Sequence, residues 1–598
     1  MKKYIYVISS VLFGMSLSGC NDALDLTPKD KVTEADYFTT VEDLKLFTNP
    51  YYNNIPTKVY YDEQNDHLVQ KTLSNELRGG TFRTVPDEGG GWSWTDLRRI
   101  NSLLARVDRC PDKAAVVEYT ALSRMFRAYF YFEKVKRFGD VPWYDTEIGS
   151  SDIDLLYRPR DSREYVMQKM LEDIDYAIEN MPDHKAQENV PFRATKWTAL
   201  ALKSRFCLFE GTFRKYHGIS LGGHDWQYYL EQAADASYKL INEGPYKIYT
   251  TGDPKMDYRN MFRAEVANSD EYILAISYDI ATSQFHDAYG FSFAPARGMP
   301  GYTRKFVNTY LMTDGTAFTD HPGWQEMTFV DEMKNRDPRL SQSIRSAGYT
   351  HNGKLYLPNP SESTTGYNPI KFVPDGVSRN DYCTNDVPIF RIAETMLNYA
   401  EAKAELGTLT QSDLDMTVNK IRDRVGMPHL NMVTANASPD RYLSSAETGY
   451  PNVEGSNKGV ILEIRRERGV ELAQEGFRWA DIRRWKAGYC FDQEITGMYF
   501  PGAGEYDLDG DGKTDIVLYA NGTSKPTVSD DVQVYEIGTD DGVKLTDGNR
   551  GYINYHEGMP KYDFNEGRDY LYPIPLYDIN LAKSFNPSDP PLTQNPGW

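Results

Sequence analysis

The sequence is poor in the residues that build metal and redox centres. Among 598 residues there are five cysteines and nine histidines. No CxxC or HExxH occurs, and no two histidines stand at ligand spacing, so zinc ribbons, zincins and dithiol motifs are excluded. The phosphate-cradling pattern GxxxxGK[ST] is missing too. Cys110, Cys207, Cys383 and Cys490 are too scattered for a disulfide framework, although an exported location would permit disulfides. Cys207 lies in an apolar helical run and reads as a small buried hydrophobe. Positive charge is also scarce: 66 Lys and Arg face 86 Asp and Glu, a net −20. Such a field opposes binding to nucleic acid or an anionic lipid surface and fits a neutral partner better. The mostly apolar run from Tyr4 to Leu17 falls short of the ~20 residues of a membrane-spanning helix.

That short run is nevertheless informative. Lys2 and Lys3 precede it, Leu17-Ser18-Gly19-Cys20 ends it, and Asn21-Asp22 turns the chain polar. This order is that of a secretory signal over 1–19, and its end resembles the lipobox of bacterial lipoproteins, which implies cleavage before Cys20 and acylation of that residue. Each buried methylene of an acyl chain contributes ~0.8 kcal/mol, so several chains anchor a body that has no spanning helix.

The remaining chain exceeds the ~250–300 residues that one compact core usually serves, so two or more packed lobes are expected. Over 20–245, apolar residues recur at helical spacing. Helices are predicted over 95–109, 116–138, 163–181, 194–213 and 226–242, with Met167, Met170, Leu171, Ile174, Ala177, Ile178 and Met181 forming the clearest stripe. Pairs of this kind point to tetratricopeptide-like stacking. Over 246–388 the pattern gives way to loops and short strands such as Tyr272–Ile276. Helices return within 389–488, notably over 458–486. An irregular Gly-, Asp- and Tyr-rich insertion is expected over 490–560, and a Pro-rich wrapping tail without helix over 561–598. The fold class is therefore mostly α, a tetratricopeptide-like scaffold of helical pairs carrying a large loop-rich, short-strand binding region.

Glu463, Glu467, Glu471 and Glu475 recur every four residues. With Arg465, Arg466, Arg468 and Arg478 in the same segment, they read as an ion-pair network and not as a glycosidase pair. Gly290-Phe291-Ser292-Phe293-Ala294 comes near a nucleophile elbow but ends in Ala. Sugar recognition needs flat apolar plates beside planar polar groups. Two loop clusters supply them: Arg78 with Trp92 and Trp94, and Tyr289, Phe291, Phe293, Arg297 and Tyr302. Asp507, Asp509, Asp511, the Lys513 carbonyl and Asp515 have the spacing of a calcium loop. Leu518 stands at the twelfth position, so this is no EF-hand, and Ca²⁺ would serve a structural role pinning the insertion.

Several motifs together are similar to the RagB/SusD family of surface lipoproteins of Bacteroidetes. They include Arg127-Ala128-Tyr129-Phe130-Tyr131-Phe132 leading to Phe138-Gly139-Asp140-Val141-Pro142, then Arg336-Asp337-Pro338-Arg339-Leu340. Phe477-Arg478-Trp479-Ala480-Asp481-Ile482-Arg483-Arg484-Trp485 and Tyr572-Pro573-Ile574-Pro575 complete the order. The resemblance implies a non-catalytic protein, lipid-anchored and outward-facing in the outer membrane. It would capture oligosaccharides or polysaccharides and deliver them to a SusC-like TonB-dependent transporter. Trp94 falls near where the family places a binding aromatic. Two other classes differ in what they demand. A peptide-binding lid of a TonB-dependent peptide importer would bind peptides alone, and a surface hydrolase would need a carboxylate pair or nucleophile in a cleft.

Overall fold

The computed structural model describes residues 37–55, 64–183, 191–559, 563–587 and 591–598. The leader and Cys20 lie outside the described residues. The N-terminal array comprises α1 (Thr95–Leu104), α2 (Lys113–Phe138), α3 (Arg163–Asn180), α4 (Lys196–His217) and α5 (Trp226–Glu243). Side chains cap four of these helices where backbone amides would otherwise go unpaired. Asp112 accepts from the Ala114 and Ala115 amides, Ser162 from Tyr165, and Asp225 from Tyr228, while Thr195 forms a capping box with Thr198. Gly139, at φ 76°, ends α2, and a Cβ there would come within 3.2 Å of Leu571.

Neighbouring helices bury one another's apolar stripes, α2 on α3, α3 on α4 and α4 on α5. Met125, Phe132, Met170, Ile174, Phe206 and Leu230 lie in the shared core. Helices α4 and α5 approach so closely that a Cβ on Gly211 would fall 2.7 Å from Leu230 Cγ. The short helix α6 (Ala288–Phe293) belongs to the loop-rich region. Further on come α7 (Ile392–Leu406), α8 (Val418–Arg424), α9 (Lys458–Glu471) and α10 (Arg478–Arg484). Helix α7 packs on α5 and α9, and α10 on α4. The change near residue 245 is thus one of sequence pattern, because later helices return to the same core. The result is a mostly helical, tetratricopeptide-like scaffold.

A second core underlies the loop-rich region, with Tyr258, Phe262, Tyr272, Phe306, Tyr310 and Phe372 buried in it. Strand β1 (Tyr272–Ile276) pairs antiparallel with β2 (Val387–Arg391), Tyr272 opposite Arg391 and Ile276 opposite Val387.

Three sequence expectations are corrected. The helix expected over 458–486 is two helices, because Gln474 and Gly476 adopt φ of 60° and 78° and turn the chain before α10. The insertion is not wholly irregular. It carries β3 (Gly504–Tyr506) antiparallel to β4 (Ile516–Tyr519), with β5 (Gln533–Glu536) parallel to β4. Strands of three or four residues are too short to show a period among so many Gly and Asp. The tail, expected to be without helix, contains α11 (Leu576–Phe585). Its prolines lie outside the helix: Pro575 is the N-cap, where the missing N–H and the fixed φ do not oppose the helix that follows, and the next is Pro587. On either side of α11 the chain is tied down. The Tyr572 amide donates to the Arg137 carbonyl at 2.8 Å, and Asn595 Nδ2 donates to Phe138 O at 3.0 Å.

The four glutamates do form an ion-pair lattice, with partners drawn mainly from distant segments. Glu471 accepts from Arg424 at 2.5 Å, Arg391 at 2.7 Å and Arg339 at 3.1 Å. Burial alone would raise its carboxyl pKa, but the three guanidiniums outweigh burial and hold it well below the usual range. Glu467 bonds Arg339 and Arg422, and Glu475 bonds Arg391 and Lys371. Glu463 lies 3.3 Å from Arg466 and 3.6 Å from Arg422. Of the nearby arginines, Arg468 turns to Asp481, Arg478 to Asp66 and Arg465 to Glu405. Carboxylates held in this way are not poised for acid–base work.

Candidate ligand-binding cleft

Helix α1 begins directly after Trp94, and the 142–158 segment and α11 face its first turns. Between them lies a cleft of about 600 Å³, lined by Trp94, Tyr144, Tyr157, Arg98, Arg158 and Asp578 among others. Trp94, Tyr144 and Tyr157 are half-buried, so part of each ring remains exposed at the cleft. Trp94 meets Tyr144 edge-on at 5.5 Å, and Tyr157 stacks on Phe585 of α11 at 3.9 Å. The rings are held from behind. The Tyr144 hydroxyl donates to Leu155 O, its amide donates to the Tyr131 hydroxyl, and Asn101 Nδ2 donates to the carbonyls of Tyr144 and Thr146. Arg158 donates to Trp143 O and to Asp161. Partial burial raises the Asp578 carboxyl pKa. Rigid aromatic plates beside planar cations and a carboxylate can stack on the C–H face of a sugar ring and bond its hydroxyls.

The first predicted cluster is only partly assembled here. Trp94 is in place. Trp92 touches the cleft but is only 9% exposed, with its ring edge-on to Phe138 at 4.9 Å. It supports Trp94 from beneath and offers no stacking face. Arg78 is not among the lining residues and sits 3.3 Å over the Phe82 ring. Tyr144, Tyr157, Arg98, Arg158 and Asp578 were missed by sequence reasoning. The one available signal was the aromatic pair Trp143-Tyr144 directly after Pro142.

The second predicted cluster splits as well. Phe291 and Tyr302 are 6% and 1% exposed and belong to the second core, because hydrophobic spacing puts them on the inward side of their elements. Tyr289 and Phe293, one helical turn apart on α6, remain half-buried and stack at 4.9 Å with 12° between their planes. Tyr356 meets Phe293 edge-on at 4.9 Å, and the Arg345 guanidinium lies 4.2 Å over Phe293. Arg297 is tied by ion pairs to Asp287 and Asp381. The near-elbow serine, Ser292, is buried and donates to Pro369 O, so it is spent on structure.

In the β3–β4 hairpin, Asp507, Asp509 and Asp511 bring one carboxylate oxygen each within 4.8 Å of the others. Asp515 stands outside that group and accepts the Leu508 amide at 2.7 Å. The Lys513 ammonium pairs with Asp511 at 2.6 Å. Leu518, at the twelfth position, is buried in β4.

Comparison with known proteins gives a consistent result. Residues 270–598 match the model of the SusD family, and residues 94–208 match a model described as starch-binding associating with outer membrane. SusD-like protein P2 of Formosa agariphila is 25% identical over 538 residues, covering 82% of this chain and 92% of that protein. A SusD-like protein of Bacteroides ovatus is 21% identical, covering 81% and 83%. Among solved structures, a SusD-like carbohydrate-binding protein of Bacteroides fragilis superposes with a TM-score of 0.67 at 20% identity, covering 91% of this chain and 98% of that one. No helix among the described residues is long and apolar enough to cross a membrane.

Proposed function

Because this chain belongs to the SusD family, we propose that it is a non-catalytic glycan-binding lipoprotein of the outer membrane, anchored through Cys20 and facing outward. It captures oligosaccharides or polysaccharides and delivers them to a SusC-like TonB-dependent transporter. The observation that carries the binding reading is the cleft in which half-buried Trp94, Tyr144 and Tyr157 stand beside Arg98, Arg158 and Asp578. The printed description of one family model, starch-binding associating with outer membrane, supports glycan as the ligand class and the membrane as the setting. We further propose that Asp507, Asp509 and Asp511, with the Lys513 carbonyl and Asp515, hold a structural Ca²⁺. The three gathered carboxylates support this, since hard oxygen donors at this spacing suit that ion.

The test is retention of the purified protein on a panel of immobilised polysaccharides and peptides, beside Trp94→Ala and Tyr144→Ala. Contact with an aromatic face is worth ~0.5–1.5 kcal/mol beyond the area it buries, so at least one variant should bind its glycan several-fold to about ten-fold more weakly while its melting temperature stays near wild type. No oligosaccharide product should appear. Glycan binding unchanged in both variants would remove the site from this cleft, and binding to peptides alone would establish the peptide-importer lid instead.

A further inference from the structure

A second cleft, of about 490 Å³, opens beside the 89–94 loop. Gly91 borders this second space, whereas Trp92 and Trp94 border the first. Lys134, which lines the second cleft, places its ammonium 5.5 Å from the Trp94 ring centroid. Lys134, Arg137 and Arg483 line the second cleft around the Tyr572 ring. Lys134 and Arg483 are only 8% and 5% exposed.

Each cation is fixed by carbonyl groups and not by a carboxylate. Lys134 Nζ donates to Gly91 O at 2.5 Å, Arg137 Nε to Gly90 O at 2.8 Å and Arg483 Nε to Tyr570 O at 3.0 Å. The Arg137 guanidinium lies 3.7 Å over Tyr572. Arg483 Nη2 is buried with no hydrogen-bond partner among the described residues. Two carboxylates reach the rim. Glu133 is bound to Lys136 at 2.7 Å, and Glu76 accepts a long bond from the Tyr572 hydroxyl at 3.4 Å. Burial, with Arg137 adding to it, pushes the Lys134 ammonium pKa down to about 8. Burial likewise brings Arg483 down to about 10, and Arg137 and Arg83 also act against its charge.

Clamping the 89–91 loop and the tail accounts for three nitrogens, but it leaves three positive charges facing one space with no carboxylate bonded to any of them, Glu76 and Glu133 standing only at the rim. Around Glu471 buried guanidiniums meet carboxylates, although Arg336, like Arg483, is held by carbonyl oxygens. A buried cation without a partner is costly, and an arriving anion with two or three oxygens would relieve it through charge-assisted bonds. The net charge of −20 opposes a polyanion only weakly, because charges more than ~8 Å away are largely screened at physiological salt and the cations lining the cleft act at short range.

We propose that Lys134, Arg137 and Arg483 bind the anionic group of an acidic saccharide, either a uronate carboxylate or a sulfate ester. This rests on the glycan-binding reading above and narrows its ligand class.

Two measurements on the purified protein and on Arg137→Gln test it. The first is thermal: galacturonate and sodium sulfate, each against sodium chloride at equal ionic strength. At least one should raise the melting temperature of wild type by a degree or more beyond its effect on Arg137→Gln, which carries the general stabilisation that excluded sulfate gives. The second is calorimetric titration with oligogalacturonate, a sulfated galactan oligosaccharide and a neutral galactan oligosaccharide of the same length, at 50 and 300 mM salt. One anionic probe should bind at least ten-fold tighter than the neutral one at low salt and lose most of that margin at high salt. Arg137→Gln should erase the margin, so that its anionic and neutral probes bind alike. Which probe wins identifies carboxylate or sulfate as the source. Equal binding of neutral and anionic probes, or a margin that survives Arg137→Gln, overturns the anion site while glycan binding stands. Stabilisation by the small anions without binding of any oligosaccharide would instead uphold the anion site and sink the glycan reading.

Discussion

Replacing Glu401 by glutamine removes one negative charge from the junction of α7 and α10. Its carboxylate accepts from both terminal nitrogens of Arg484, one of them at 2.7 Å, and from Trp485 Nε1 at 2.6 Å. It is 1% exposed. Burial alone would raise its pKa, but Arg484, with Arg468 and Arg465 behind it, brings it down to about 2 against an ordinary 4.5. At 1.36 kcal/mol per pH unit, that difference contributes about 3 kcal/mol of stability. The figure agrees with the ~3–5 kcal/mol lost when one member of a buried pair is removed. Glutamine keeps the volume but presents an NH₂ to groups that are themselves donors. Unfolding entropy is ~2.1 cal/mol/K per residue, or about 1 kcal/mol/K for roughly 500 residues unfolding together, so Glu401→Gln should melt about 3 °C lower at pH 7. Because the folded carboxyl is depressed, its contribution is complete above pH 4.5 and is lost as pH falls toward 2. Calorimetric scans of both proteins between pH 7 and pH 3 should show the gap narrowing below pH 4.5. A variant that melts within half a degree of wild type at pH 7, or a gap constant down to pH 3, would refute this account of Glu401.

Gly211→Ala should cost about 1–3 kcal/mol in urea unfolding, because the new methyl meets Leu230 Cγ at 2.7 Å and its backbone nitrogen at 3.0 Å; no loss would mean that α4 and α5 are not so close. Cys110, Cys207, Cys383 and Cys490 are free and buried, and burial pushes the Cys383 thiol up to about 12. Thiol reagents should therefore leave these four untouched at pH 7.5 in the native protein and label all of them in denaturant; rapid native labelling would contradict the burial. Chelating Ca²⁺ should lower the melting temperature without reducing far-ultraviolet helical ellipticity, and an unchanged melting temperature would dismiss the calcium assignment.

The helical scaffold was legible because its helices are long and its stripes uninterrupted. In α3, Met167, Met170, Ile174 and Ala177 are all buried, as their spacing requires. Breaks set by one backbone angle were not legible: nothing in composition reveals that Gln474 adopts φ 60°. The aromatics of the two candidate clusters were half legible for a similar reason. Residue type marks Trp92, Trp94, Phe291 and Phe293 as equivalent, yet Trp92 and Phe291 are buried while Trp94 and Phe293 keep a face at the surface. Trp92 and Trp94 lie in a loop and Phe291 and Phe293 in a helix of only six residues, segments too short to show in the sequence which ring turns inward. Asp578 and Tyr157 were out of reach altogether, since their approach to Trp94 depends on packing between segments far apart in the chain.

Helix α11 and the strands of chain beside it give the first cleft a kinetic character. Asn595 and Phe138 are joined across 457 residues, and Arg160 reaches Asn595 across 435. The pairs α2–α3 and α4–α5 need only local contacts, which form early, whereas closures of this length raise contact order and are expected to come late. A chain caught partway would hold most of its scaffold with the wall behind Tyr157 still absent. Ligand affinity thus depends on the completed fold, and a bound glycan would stabilise only the molecule that has finished folding.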